Sequence, residues 1–147
     1  MLTRRYLIIL GMLANFSTAH AQRPAAPGVS LAEAASRRFP QPVRVGDLLD
    51  RQVLQPLESQ PTLGWVHTIV RQHDGTIEVV VDYGGRFRFL NRPIAVPVDA
   101  MVLLGPYMEI VDFTPVQLDQ FQTFDGAGTT VVSPDTIIHV GLARPSH

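Results

Sequence analysis

Cysteine is absent from the 147 residues, which excludes disulfides, covalent haem attachment, a thiolate metal site and a lipidated N-terminal cysteine. Lysine is absent too, so all 12 basic residues are arginine. With the first 21 residues set aside, 10 arginines stand against 13 acidic residues. That balance is mildly acidic and lacks the basic footprint of a nucleic-acid binder. The apolar run at residues 6–16 is 11 residues long, about half of the roughly 20 needed to cross the hydrocarbon of a membrane. No serine sits in a G-x-S-x-G elbow. His67 and His73 are too far apart in sequence for the i, i+2 or i, i+4 spacing that points two imidazoles at one metal. Neither a hydrolase nor a metal centre is therefore expected, and no cofactor is implied.

The N-terminus carries the features of an export signal. Arg4 and Arg5 form a positive head, the apolar run follows, and Ala19-His20-Ala21 closes it with small side chains at the first and third positions. Cleavage between Ala21 and Gln22 is the expectation, which makes the remaining chain periplasmic or secreted with no membrane span. An uncleaved anchor and a buried helix are the alternatives, and the shortness of the run argues against the first. Thr3-Arg4-Arg5-Tyr6-Leu7-Ile8 also resembles a twin-arginine export motif. Adjacent arginines are equally common in ordinary signal heads, so the general secretory route is preferred.

Residues 22–42 read as a flexible start with one short helix. Ser30-Leu31-Ala32-Glu33 has capping-box spacing, and Pro40 stops the helix after Phe39. Residues 43–124 read as one β-rich domain, since short apolar segments recur at close spacing. Gly64, Trp65, Val66, Ile69 and Val70 fall in one compact segment. His73-Asp74-Gly75 supplies turn chemistry. Ile77, Val79, Val81 and Tyr83 then alternate with Glu78, Val80 and Asp82, the period-2 mark of a half-buried strand. Phe87 and Phe89 alternate with Arg86 and Arg88, and the phenylalanines are expected to fill the core. Pro93 and Pro97 flank Ile94 and Val96 and indicate an edge strand or a bulge. Gly105-Pro106 separates two further strands, and Thr114-Pro115 opens a short helix with threonine as cap. In the tail, residues 125–147, Thr130-Val131-Val132 and Ile137-Ile138-His139-Val140 read as an added hairpin around Ser133-Pro134-Asp135.

These blocks resemble the PRC-barrel family over about residues 45–121. The resemblance is carried by Leu48-Leu49-Asp50-Arg51-Gln52-Val53, Leu63-Gly64-Trp65-Val66 and His73-Asp74-Gly75-Thr76-Ile77-Glu78-Val79. It continues through Pro93-Ile94-Ala95-Val96-Pro97-Val98-Asp99 and closes with Met108-Glu109-Ile110-Val111-Asp112-Phe113-Thr114-Pro115. Two departures stand out: Leu57-Glu58-Ser59-Gln60-Pro61 replaces a short polar turn, and no proline follows the final helix between Phe121 and Phe124. The resemblance implies a small β-barrel of about six short strands with a short C-terminal helix. It also implies binding of proteins or assemblies, with no shared reaction chemistry and no catalytic residues to carry over.

A non-catalytic protein-binding or assembly module in the cell envelope is thus the expected function. The alternative is a small-ligand carrier or an enzyme using the barrel mouth. Arg86, Arg88 and Arg92 are the expected partner surface, because three arginines fall within seven residues of an otherwise mildly acidic chain. A plain solvated face is the competing reading. Trp65, the single tryptophan, is read either as core or as a partner anchor. The partner is expected to be a protein, and a homodimer is left open.

Overall fold

The computed structural model describes residues 30–84 and 90–143. Helix α1, Leu31–Ser36, starts where Ser30 Oγ accepts a hydrogen bond from the Glu33 amide at 3.1 Å. Only half of the expected capping box forms, because the Glu33 carboxylate pairs with Arg37 at 3.2 Å instead of reaching back. The helix ends at Ser36, before the expected Phe39, and none of its residues is fully buried.

The chain is mainly β. Strand β1, Gln41–Arg44, leads through a 3-10 turn at Val45–Asp47 to β2, Gln52–Leu54. Strand β3 runs over Thr62–Gln72 and β4 over Ile77–Tyr83, joined in antiparallel register. Their turn forms as the residues dictate: Gly75 takes φ +92°, and the Asp74 carboxylate accepts from the Thr76 amide at 2.9 Å. That bond is the main reason the Asp74 carboxyl lies below the ordinary range. The alternation expected in β4 holds for Val79, Val81 and Tyr83, which face the core, but Val80 on the opposite face is buried as well. Both faces of this central strand are covered.

Strand β5, Arg92–Pro97, passes through a 3-10 turn at Val98–Ala100 into β6, Met101–Leu104, and then into β7, Tyr107–Ile110. Helix α2, Pro115–Asp119, begins with a complete capping box between Thr114 and Gln117 and with proline in its first turn, as expected. Strands β8, Thr129–Val131, and β9, Ile137–Leu142, complete the chain.

Among the described residues, nine strands join in one mixed sheet in the order β1-β9-β6-β7-β2-β3-β4-β5, with β8 on β3. A bulge between Val66 and Thr68 bends β3, which pairs with β2 at one end and with β8 at the other. No pairing among the described residues joins β1 to β5, so the sheet is open rather than a closed barrel. It nevertheless curls round one core. Val45, Ile138 and Val140 from one end share that core with Ile94 and Val96 from the other, and Leu118 of α2 lies within it. Pro93 and Pro97 do lie on an edge strand, since β5 pairs only with β4 among the described residues.

The tail does not form a hairpin. Strand β8 adds to β3, whereas β9 inserts between antiparallel β1 and parallel β6. The reason lies in residues 133–136: the Pro134 carbonyl accepts from the Gly46 amide at 2.8 Å, and the Thr136 carbonyl accepts from Val45 at 2.9 Å. These bonds hold the intended turn against the 3-10 segment, so the strands on either side diverge. The single sheet holds nine strands, where about six are expected in the barrel and two more in a separate tail hairpin; three- and four-residue strands carry almost no periodic signal of their own.

Candidate functional site

Of the residues singled out from sequence, Ala21, Gln22, Arg86 and Arg88 lie outside the described residues, as do Phe87 and Phe89. Trp65 is half-buried in β3, paired with Gln52 on β2 and Asp82 on β4. Beside it, exposed His67 sits at the bulge with its Nδ1 3.2 Å from the Asp82 carboxylate.

Arg92 is tied into the fold. Its guanidinium donates to the Phe121 carbonyl at 2.7 Å and to the Leu118 and Asp119 carbonyls at 3.1 Å each. Leu118 and Asp119 belong to the last turn of α2 and Phe121 follows it; the Leu118 carbonyl also accepts from the Phe121 amide at 3.1 Å, so Arg92 adds a second donor there. The same cation lies 5.7 Å from the centre of the Tyr83 ring. The Tyr83 hydroxyl donates to the Asp119 carboxylate at 2.7 Å, with the Pro115 carbonyl 3.2 Å away. Burial, then the hydrogen bond to Asp119 and its charge, push the Tyr83 phenol up to about 12, with Arg92 opposing. Arg92 and Tyr83 therefore clasp α2 to the sheet. Arg92 is not presented as part of a free arginine cluster.

A second constellation, unmarked in the sequence reading, lies on the outer face of the sheet. Along β7, Met108 and Ile110 point into the core, so Glu109 points the other way. Its cross-strand neighbours are Leu54 on parallel β2 and Val102 on antiparallel β6. Both are buried, and Glu109 itself is only 8% exposed. Its carboxyl makes no hydrogen bond or ion pair among the described residues. Burial, the one cause at work, raises it above the ordinary carboxyl range.

Glu109 opens into a groove of about 540 Å³. Its walls are Val102, Val111 and Leu142 of the sheet region, Pro56 after β2, and Ala34, Arg37 and Arg38 at the end of α1. Arg38 fixes the helix end in place. Its guanidinium holds Asp112 with two bonds of 2.7 and 2.8 Å and donates to the Asp99 carbonyl at 2.9 Å. The Arg38 carbonyl in turn accepts from the Leu142 amide at 2.9 Å. Arg37 is paired with Glu33. Among the described residues both rim cations thus have an acidic partner, and Glu109 has no basic one.

Glu109 carries no signal in the sequence, because period-2 alternation alone makes it an ordinary solvated strand residue. What covers its face of the strand depends on α1, far away along the chain. Among the described residues, no three His, Asp or Glu side chains come together as metal ligands. No helix among them is long and apolar enough to cross a membrane. No protein-family model matches the chain, and no curated protein matches it either.

Proposed function

We propose that the protein is an exported, non-catalytic protein-binding or assembly module of the cell envelope, built on a PRC-type barrel. The observation that carries this reading is the open, largely apolar groove between α1 and the outer face of the sheet, about 540 Å³ in volume. Partner anchors seat in concave apolar pockets of this kind. By contrast, the space inside the curl is filled: Ile69, Val79, Val81, Met108 and Leu118 are all 0% exposed. A filled interior favours a surface binder over a carrier or an enzyme working through a barrel mouth. Support for the barrel comes from the curled sheet, the order of the sequence blocks, and the Thr114-capped helix that follows β7.

The test is quantitative capture of envelope proteins by the purified protein and by two variants. Ala34→Trp fills the groove from a half-buried helix position, and Arg86→Ser with Arg88→Ser removes the remaining arginine pair. The reading expects one set of proteins enriched by wild type and lost with Ala34→Trp. Loss with the arginine double variant alone would move the partner surface to residues 86–88. The same yield from all three proteins would defeat it.

A further inference from the structure

We propose that the Glu109 groove binds a primary ammonium or guanidinium group carried on a short apolar chain. A lysine or arginine side chain and a free alkylamine both present this group. The inference does not rest on the protein-binding reading above and stands if that reading fails.

Glu109 is 8% exposed as a whole residue, and its carboxyl meets the groove with no hydrogen-bond partner among the described residues, whereas polar groups so enclosed ordinarily have one. Nothing structural requires an acid here: its cross-strand neighbours Leu54 and Val102 are apolar, and a leucine would suit the site as packing. Among the described residues, the other charged groups around the groove come from α1 and the segment after β7. They are Arg37 with Glu33, and Arg38 with Asp112. Strands β2 and β6, which flank Glu109, bring Leu54 and Val102 beside it and no titratable group at those positions. With the rim pairs cancelling, an ionised Glu109 gives the described lining of the groove one negative charge at its base and apolar walls above it. A cation supplies both the charge and the hydrogen-bond donors, and its methylene chain lies against Val102, Val111 and Leu142. An anionic or purely apolar ligand would leave the carboxylate buried and unpaired.

Binding requires Glu109 to be ionised, and burial favours its neutral form. Where the unliganded carboxyl is still protonated the cation must displace a proton, so affinity should rise with pH until that carboxyl is ionised and then level off.

The experiment is an NMR titration of the full chain with n-butylguanidinium and with n-butylurea, its neutral counterpart of the same shape. Saturable shifts at the amides of Val102, Glu109 and Leu142 are expected with the guanidinium, and binding at least about tenfold weaker with the urea. Glu109→Gln should abolish that preference and the pH dependence while keeping the melting temperature of wild type or raising it. Ala34→Trp, which leaves the acid in place, should weaken both ligands. An acetylated, amidated Gly-Leu-Arg-Leu-Gly peptide then identifies the source. Tighter binding than butylguanidinium assigns the site to a protein's basic side chain, and weaker or equal binding assigns it to a free alkyl cation. Equal affinity for guanidinium and urea, undiminished binding by Glu109→Gln, or shifts confined to another surface would each overturn the inference.

Discussion

Replacing Arg92 separates a structural arginine from a partner-binding one. Its side chain makes three hydrogen bonds to carbonyls at the end of α2, of 2.7, 3.1 and 3.1 Å, and lies 5.7 Å from the Tyr83 ring centre. A hydrogen bond involving a charged group contributes about 1.5–3 kcal/mol net, but one of these contacts is exposed and the released carbonyls can recover water. One Nη serves two acceptors, so the three bonds do not sum. Arg92→Gln should therefore cost about 2 kcal/mol, against the ±0.5 kcal/mol or so of an ordinary surface substitution. Arg92→Lys keeps the charge but not the planar fork, and should recover less than half of that loss. Equilibrium urea unfolding measures it, with the slope checked for constancy so that the midpoint reports stability. A double-mutant cycle with Tyr83→Phe should show coupling of about 0.5 kcal/mol or more, because both residues hold the same helix. A loss below about 0.5 kcal/mol for Arg92→Gln would mean that the clasp contributes nothing in solution and that the arginine is a surface group after all.

Four other outcomes are expected. Ultraviolet titration of the phenols should find Tyr83 ionising at about 12. Its stabilisation, complete below the unfolded value near 10, should fade as pH rises through the folded value, and Tyr83→Phe should remove this alkaline step. Glu109 has a raised carboxyl in the folded chain. Its contribution should be most favourable below the unfolded carboxyl value of about 4.3 and decline as pH rises through the folded one. Glu109→Gln should flatten this slope in urea unfolding followed from acid to neutral pH, and an unchanged slope would contradict the burial argument. Gly64→Ala should cost on the order of 3 kcal/mol, since a Cβ there would drive into the Asp82 carbonyl of the neighbouring strand. Full stability in that variant would show that β3 and β4 separate more easily than their register implies. Mass spectrometry of the protein recovered from periplasm should give Gln22 as the first residue, and a chain still beginning at Met1 would reject cleavage after Ala21.

Most of what was legible in the amino-acid order is local chemistry. Thr114, Pro115 and Gln117 start α2 because a cap acts within three residues, and the box is present in full. Asp74 and Gly75 make the β3–β4 turn for the same reason. The alternation of Val79, Val81 and Tyr83 marks their shared face through the geometry of the strand alone. Tertiary structure decided the rest. Whether β8 and β9 pair with each other depended on Pro134 and Thr136 meeting Gly46 and Val45, a contact that no window of sequence contains. Arg92 could have faced solvent, and the carbonyls of α2 took it. Glu109 had the pattern of an exposed residue and became a buried acid. The end of α1 is held beside its groove by Arg38 and Asp112, which are 74 residues apart in the chain. Periodicity assigns a side chain to a face of its own strand, but burial is set by what arrives from elsewhere to cover that face.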